Sequence, residues 1–214
     1  RDAQRLAQTL RQLGDFPPDQ VLLLNGVNAS EMRDVLIRLN ARIREQREAF
    51  LFVFYSGHAD GDELHLAGTR LPTSDLKALL VGSPATSRVL VVDACRSGSM
   101  TRSKGARMIA PFEIEREDQP LPEGFAVLTS SAAAEDSQES TTLRGSFFTH
   151  YLNAALMGAA DQNRDGKVTL AEAYTFASYE TRSATVGTAA GPQNPTYQYV
   201  LGGRQDLVLT RPGR

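Results

Sequence analysis

Apolar positions along the chain switch between a helical and a strand period, and this switching predicts an α/β fold. Ala3, Leu6, Ala7, Leu10 and Leu13 recur at helical spacing and predict a first amphipathic helix. Residues 21–24 (VLLL), just after Pro17-Pro18, read as a short strand. Asn28 and Ser30 are candidate caps for a second helix, with Met32, Val35, Leu36, Leu39 and Ile43 turned inward. Residues 51–55 (LFVFY), 88–93 (RVLVVD) and 125–129 (FAVLT) read as strands, and the first has the unbroken apolar character of a strand covered on both faces. Residues 73–80 predict a short helix and residues 63–68 a hairpin. Ser146 opens a helix carrying Phe147, Phe148, Tyr151, Leu152, Ala155 and Leu156. A further helix after Thr169 turns Leu170, Ala173, Tyr174 and Ala177 inward, and residues 206–210 close the chain as an edge strand.

Two stretches break the rhythm. Residues 97–123 have no clear period, and a connection longer than about 15 residues inside a compact domain is usually functional or disordered. Residues 187–196 (GTAAGPQNPT) have the composition of an exposed loop. There is no internal repeat. The whole of 1–214 reads as a single domain, with a large segment over 1–100, a linker over 97–123 and a small segment over 124–214. A parallel sheet normally starts with a strand, and none precedes the first helix, so a first strand is expected upstream of Arg1.

Composition narrows the function classes. Of 214 residues, 41% are hydrophobic and 22% charged, which excludes a disordered tail. No apolar run approaches the ~20 residues that span a bilayer, so no membrane partner is expected and the cytoplasm is the expected location. The formal charge is -2 and the basic residues are scattered, so nucleic acid is not an expected partner. One cysteine, Cys95, excludes an internal disulfide and a multi-cysteine metal site. Oligomeric state leaves no trace in the sequence.

The chemistry lies at two strand ends. One reads Phe54-Tyr55-Ser56-Gly57-His58-Ala59-Asp60 and the other Val92-Asp93-Ala94-Cys95-Arg96-Ser97-Gly98. Ligands of open α/β sheets bind at the carboxyl ends of strands. His58, three residues past one strand, and Cys95, two past another, meet if those strands are neighbours. A free thiol has a pKa near ~8.5, and an imidazole near ~6.5 can take its proton and later return it to a leaving amine. Taken alone, one Cys is as readily a small buried hydrophobe, and one His a hydrogen-bonded surface group. The small neighbours Ser56, Gly57, Ala94, Ser97 and Gly98 favour the chemical reading, because they leave room for a peptide and free backbone N–H groups for an oxyanion.

SGHA, followed 37 residues after its histidine by the cysteine of DACRSG, resembles the caspase-like cysteine peptidases, above all the metacaspase and bacterial orthocaspase branch. The similarity extends to a first helix opening with Asp2-Ala3, to FAVLTSSA, to GSFFTHYL and to a closing strand after a Pro/Gly loop. It implies a caspase–hemoglobinase fold, a mostly parallel central sheet with helices on both faces. It also implies His58 as base, Cys95 as nucleophile, and the N–H groups of Ala59 and Cys95 as the oxyanion hole. The family usually has Gly where Ala59 stands.

Asp93 lies two residues before Cys95, where Asp-cutting caspases have Gln and metacaspases have Asp lining the specificity pocket. A carboxylate there repels an acidic side chain by about 4 kcal/mol at ~4 Å and an effective dielectric of ~20, and attracts Arg or Lys by as much. Arg gains further from its bidentate fork. Asp2 and Ser56 line the same pocket by resemblance, although Asp2 fits an N-terminal helix cap equally well. The expected partner is therefore a protein or peptide with a basic residue at the cut, hydrolysed through a thioester acyl-enzyme. Arg102, Lys104, Arg107 and Arg116 then become candidate self-cleavage sites in the linker. Two alternatives stand beside this: the same peptidase with Asp specificity, and a catalytically idle calcium-sensing or scaffolding module of the same fold.

Residues 161–172 (DQNRDGKVTLAE) match a twelve-residue calcium loop, with Asp161, Asn163, Asp165, the Lys167 carbonyl and Glu172 as ligands and Gly166 at the turn. Thr169 and Glu172 equally fit a helix capping box. No cofactor is required for the thiol chemistry, so calcium is the one candidate ion. Metacaspases often depend on calcium through a different acidic site, which leaves this loop open.

Overall fold

The computed structural model describes residues 1–60, 62–96, 123–132, 135, 137–200 and 206–213, with Cys95 and Arg96 described for the backbone alone. Ten strands and five α-helices are described. The strands are β1 (Phe50–Asp60), β2 (Glu63–Leu66), β3 (Thr69–Pro72), β4 (Ser87–Arg96), β5 (Phe125–Thr129), β6 (Glu139–Ser140), β7 (Gly145–Ser146), β8 (Val168–Thr169), β9 (Thr196–Val200) and β10 (Val208–Thr210). The helices are α1 (Asp2–Leu13), α2 (Ala29–Ile43), α3 (Thr73–Val81), α4 (Phe147–Ala154) and α5 (Leu170–Thr185), with a π-turn over Ala155–Ala159 continuing α4. The main sheet has the order β3-β2-β1-β4-β5-β9. Its long central strands β1, β4 and β5 run parallel, while the β2–β3 hairpin and β9 are antiparallel.

Strand alternation divides the core into two layers. Leu51, Val53, Leu90, Val92 and Val127 face α2 and α3 through Met32, Leu36, Leu76 and Leu80. Val89, Val91, Ala126 and Leu128 face α1, α4 and α5 through Leu6, Leu10, Phe148, Leu152, Ala173 and Ala177. The expected α/β fold, with helices on both faces, is what the chain adopts. Local signals set the helix starts. Asn28 caps α2 in a reciprocal box with Glu31, Thr169 does the same for α5 with Glu172, and Ser146 accepts from the Thr149 N–H to start α4. Ser30 lies inside α2 and does not cap it.

Three expectations are corrected. Residues 21–24 form no strand, because no described neighbour offers them a ladder. The chain does not close on an edge of the main sheet: Val208–Thr210 pairs with the short β8 in a sheet of its own. The edge is instead β9, Thr196–Val200, whose alternating TYQYV pattern pairs with β5. Residues 187–196 are also more than an exposed loop, since Gln193 is fully buried.

Candidate active site

Both motif strands run further than their apolar residues. β1 and β4 pair in register from Phe50↔Ser87 to Ala59↔Arg96, so His58 and Cys95 lie inside strands and not beyond their ends. Polar residues extend a strand as well as apolar ones while each backbone finds a partner, so pairing and not hydrophobicity fixes where these strands stop. The register sets His58 directly opposite Cys95, Ser56 opposite Asp93 and Ala59 opposite Arg96. Neighbouring strands lie about 4.8 Å apart, which brings the imidazole-bearing and thiol-bearing residues to adjacent backbone positions. His58 and Ser56 are exposed to solvent, and Ala59 is buried. Ala59 is not among the residues of positive φ, so a methyl group is tolerated where the family usually has Gly.

A buried tyrosine braces the histidine segment. The Tyr55 hydroxyl stands 2.7 Å from the His58 carbonyl and 2.9 Å from that of His65, sharing its hydrogen between them. Burial pushes the phenol up to about 12, only partly offset by the hydrogen bond to His65, so it donates throughout the neutral range. Gly57 makes the brace possible: a Cβ there would lie 2.6 Å from the Tyr55 hydroxyl. Behind His58, Asp60 accepts from Arg70 at 2.6 Å and from His65 at 2.9 Å, giving His65 a partner that the sequence does not reveal. Partial burial pulls the Asp60 carboxyl up, but the Arg70 hydrogen bond and the nearby His65 and Arg70 charges outweigh it and hold it below the usual value.

Two carboxylates, Asp93 of β4 and Asp2 of α1, are held near the start of α4 by residues from separate parts of the chain. Asp93 is 3% exposed. One of its carboxylate oxygens accepts from Ser137 Oγ at 2.8 Å and the other from Thr149 Oγ1 at 2.5 Å. Gln193 fixes the surrounding loops, donating to the Ser130 carbonyl at 2.6 Å and accepting from the Gln138 N–H at 2.8 Å. Asp2 does not cap its own helix, whose N-cap is Arg1. Its carboxylate crosses to α4 and accepts from the Ser146 N–H at 3.2 Å. That approach needs Gly145, where a Cβ would collide with the Asp2 carboxylate. Thr9 on α1 likewise reaches Asn153 on α4 at 2.8 Å, so the helices lie side by side with their first turns at the same end. Asp2 and Asp93 therefore both meet the first turn of α4, where the helix dipole favours negative charge.

Tyr55, Ser137, Thr149 and Gln193 are site residues that sequence reasoning did not pick out. Thr149 lies within the GSFFTHYL similarity and Tyr55 within an apolar run, while Ser137 carries no sequence signal. The Ser130 N–H donates to the Val92 carbonyl, extending the β4–β5 ladder, while Ser131 makes a turn contact, its Oγ donating to the Glu135 carbonyl. His150 packs edge-on against Tyr151.

The calcium-type loop closes on its own backbone. Asp161 accepts from the N–H groups of Asp165 and Gly166, Asn163 from that of Asp165, and Asp165 from that of Lys167. Glu172 accepts from both the N–H and the hydroxyl of Thr169, as in a capping box. Among the described residues, no three His, Cys, Asp or Glu side chains cluster together. The loop also lies at the far end of α4 and its π-turn, about 15 Å of helix from the Asp93 contact at Thr149. The candidate self-cleavage residues Arg102, Lys104, Arg107 and Arg116 lie outside the described residues. None of the described helices is long and apolar enough to cross a membrane.

Comparison with known proteins agrees with this layout. The caspase domain family model matches residues 1–201. Among solved structures, caspase-1 from Spodoptera frugiperda superposes with a TM-score of 0.70 at 18% identity, covering 99% of this chain and 81% of that one. Similarity at that level speaks for the fold alone. No curated protein matches the sequence.

Proposed function

This chain belongs to the caspase-domain family of cysteine peptidases, and from that premise we propose that it is an endopeptidase cutting after arginine, and secondarily after lysine. The observation that carries the proposal is the register pairing of His58 with Cys95 on adjacent parallel strands. In the proposed reaction His58 takes the Cys95 thiol proton, and the thiolate adds to the scissile carbonyl. The oxyanion is held by the N–H groups of Ala59 and Cys95. Collapse expels the amine, which leaves with the proton from His58, and gives a thioester. Water, deprotonated by the same imidazole, then releases the acid and restores the thiol.

Asp93 supports the basic specificity. Its buried carboxylate is fixed by Ser137 and Thr149, so its charge is held in place and poorly screened. Asp2 adds a second negative charge at the same turn of α4, and Ser56 lies opposite Asp93 in the ladder. An aspartate side chain in the substrate would meet this wall with like charge, which disfavours the Asp-cutting alternative. Cleavage after Arg102, Lys104, Arg107 or Arg116 is part of the same proposal, because each presents the preferred residue.

The test is cleavage of matched fluorogenic peptides ending in Arg, Lys or Asp. Arg peptides should be cut fastest, and Cys95→Ala should reduce the rate at least ~1,000-fold. Cleavage after Asp, or none after any of the three, would overturn the proposal. An intact mass unchanged during turnover would remove the self-processing.

A further inference from the structure

The Ser137 hydroxyl that meets Asp93 is itself directed, and a glutamine behind it sets the direction. Gln193 is fully buried, and the two ends of its amide are told apart by their partners. Oε1 faces the Gln138 N–H at 2.8 Å, which needs an acceptor, and Nε2 faces the Ser130 carbonyl at 2.6 Å, which needs a donor. Nε2 carries a second hydrogen, directed to Ser137 Oγ at 3.5 Å. Since Ser137 Oγ receives that hydrogen, its own goes to Asp93 Oδ1 at 2.8 Å. Gln193, Ser137 and Asp93 therefore form a one-way chain of donors that ends on the carboxylate, and the members of such a chain polarise one another.

The loop that carries Gln193 has anchors of its own. The Gln193 main-chain N–H donates to Thr185 Oγ1 at 2.9 Å, at the end of α5. The Gln138 side chain reaches back across the same seam, accepting from Thr188 Oγ1 at 2.6 Å and donating to the Gly191 carbonyl at 2.7 Å. Each loop thus inserts an amide into the other, and neither amide brings a charge near Asp93. A methionine would fill the volume of Gln193 but could neither donate to Ser137 nor to the Ser130 carbonyl.

The consequence lies in how the carboxylate is presented. A carboxylate offers about four lone-pair positions. Ser137 takes one on Oδ1 and Thr149 one on Oδ2, so one remains on each oxygen. Two such positions suit the planar fork of a guanidinium, whereas an ammonium bonds as a point charge and gains little from the pair. We propose that Gln193 is a positioning residue for the choice of arginine over lysine. By aiming Ser137 at Asp93 Oδ1 it fixes the plane of the carboxylate, and with it the two positions the fork requires. The proposal rests on the reading of Asp93 as the specificity group. It separates the charge of Asp93, which draws both cations, from its orientation, which favours one.

The experiment compares kcat/KM on peptides that differ only in Arg, Lys or Gln at the cut, for the native chain, Gln193→Met, Ser137→Ala and the double variant. Gln193→Met should lower the Arg-over-Lys ratio about tenfold, through KM on the Arg peptide, while the Lys-over-Gln ratio set by charge moves less than about twofold. Ser137→Ala should do the same, and the double variant should fall no further, because the glutamine acts through the serine. A purely structural contact would lower the melting temperature and leave the Arg-over-Lys ratio alone, which overturns the inference. Ser137→Ala keeps the bonds of Gln193 to the Ser130 carbonyl and the Gln138 N–H, so the relay is tested even where Gln193→Met does not fold, and an unchanged ratio in it overturns the inference. So do losses that multiply in the double variant, and a native chain that cuts Arg and Lys peptides alike. A native chain that cuts after neither overturns the reading of Asp93, and the inference with it.

Discussion

The two ends of α4 are both acidic, and they differ in how their carboxylates are employed. At the first turn, Asp2 and Asp93 arrive from α1 and β4, and Asp93 is buried and held by hydroxyls from Ser137 and Thr149. Beyond the far end, Asp161, Asn163, Asp165 and Glu172 come from one short stretch, and their oxygens serve the amides of that same stretch. Asn163 and Asp165 are exposed to solvent. A carboxylate that folds its own loop, in water, exerts a screened and local effect. One that is buried and fixed by distant elements projects its charge onto whatever lies beside it.

The sharpest way to break this contrast is Asp93→Asn. The amide can still accept from one hydroxyl and donate to the other, so the substitution removes charge with little change of shape. The ratio of kcat/KM on Arg over Gln peptides should fall about 100-fold, discounted from the ~4 kcal/mol of a fixed pair. Alkylation of Cys95 by iodoacetamide should keep its rate. Selectivity that survives would move the specificity wall elsewhere.

A smaller effect is expected at the brace. Tyr55→Phe leaves the His58 and His65 carbonyls without their shared donor, at a stability cost of about 1–3 kcal/mol. As a positioning residue, Tyr55 should act on kcat, with a fall of roughly tenfold, and leave KM nearly unchanged. Equal kcat in the variant would make it a purely structural contact.

The smallest effect belongs to the far loop. Asp161→Asn weakens the acceptors of two loop amides and should lower the melting temperature by about 2–4 °C for a domain of this size. The rate on Arg peptides should not move, nor should it respond to chelation or to millimolar calcium, because the loop stands about 15 Å of helix from the Asp93 contact. A calcium-dependent rate would show that the two ends of α4 communicate.

Legibility in the sequence followed the range of the interactions involved. The amphipathic stripes of α1 and α2, the caps Asn28, Ser146 and Thr169, and the apolar strands all arise from contacts within a few residues, and all are readable in the order of side chains. The His58 and Cys95 motifs were also readable, because each is a short run of characteristic residues. The strand at 21–24 and the closing edge strand were misassigned for one reason. Strand identity depends on whether a partner backbone lies alongside, and neither VLLL nor the residues after Asp206 name that partner.

By itself, then, the sequence determined the α/β class, the positions of the helices and the two short motifs that carry the proposed base and nucleophile, since period, capping and residue type are local properties. Only the tertiary structure decided that His58 stands opposite Cys95, that Tyr55 reaches the His58 carbonyl past Gly57, and that Ser137 and Thr149 close on Asp93. Those contacts join residues up to 56 positions apart. They exist because parallel pairing and helix packing deliver them to one rim, a consequence of the assembled ladder that no local pattern encodes.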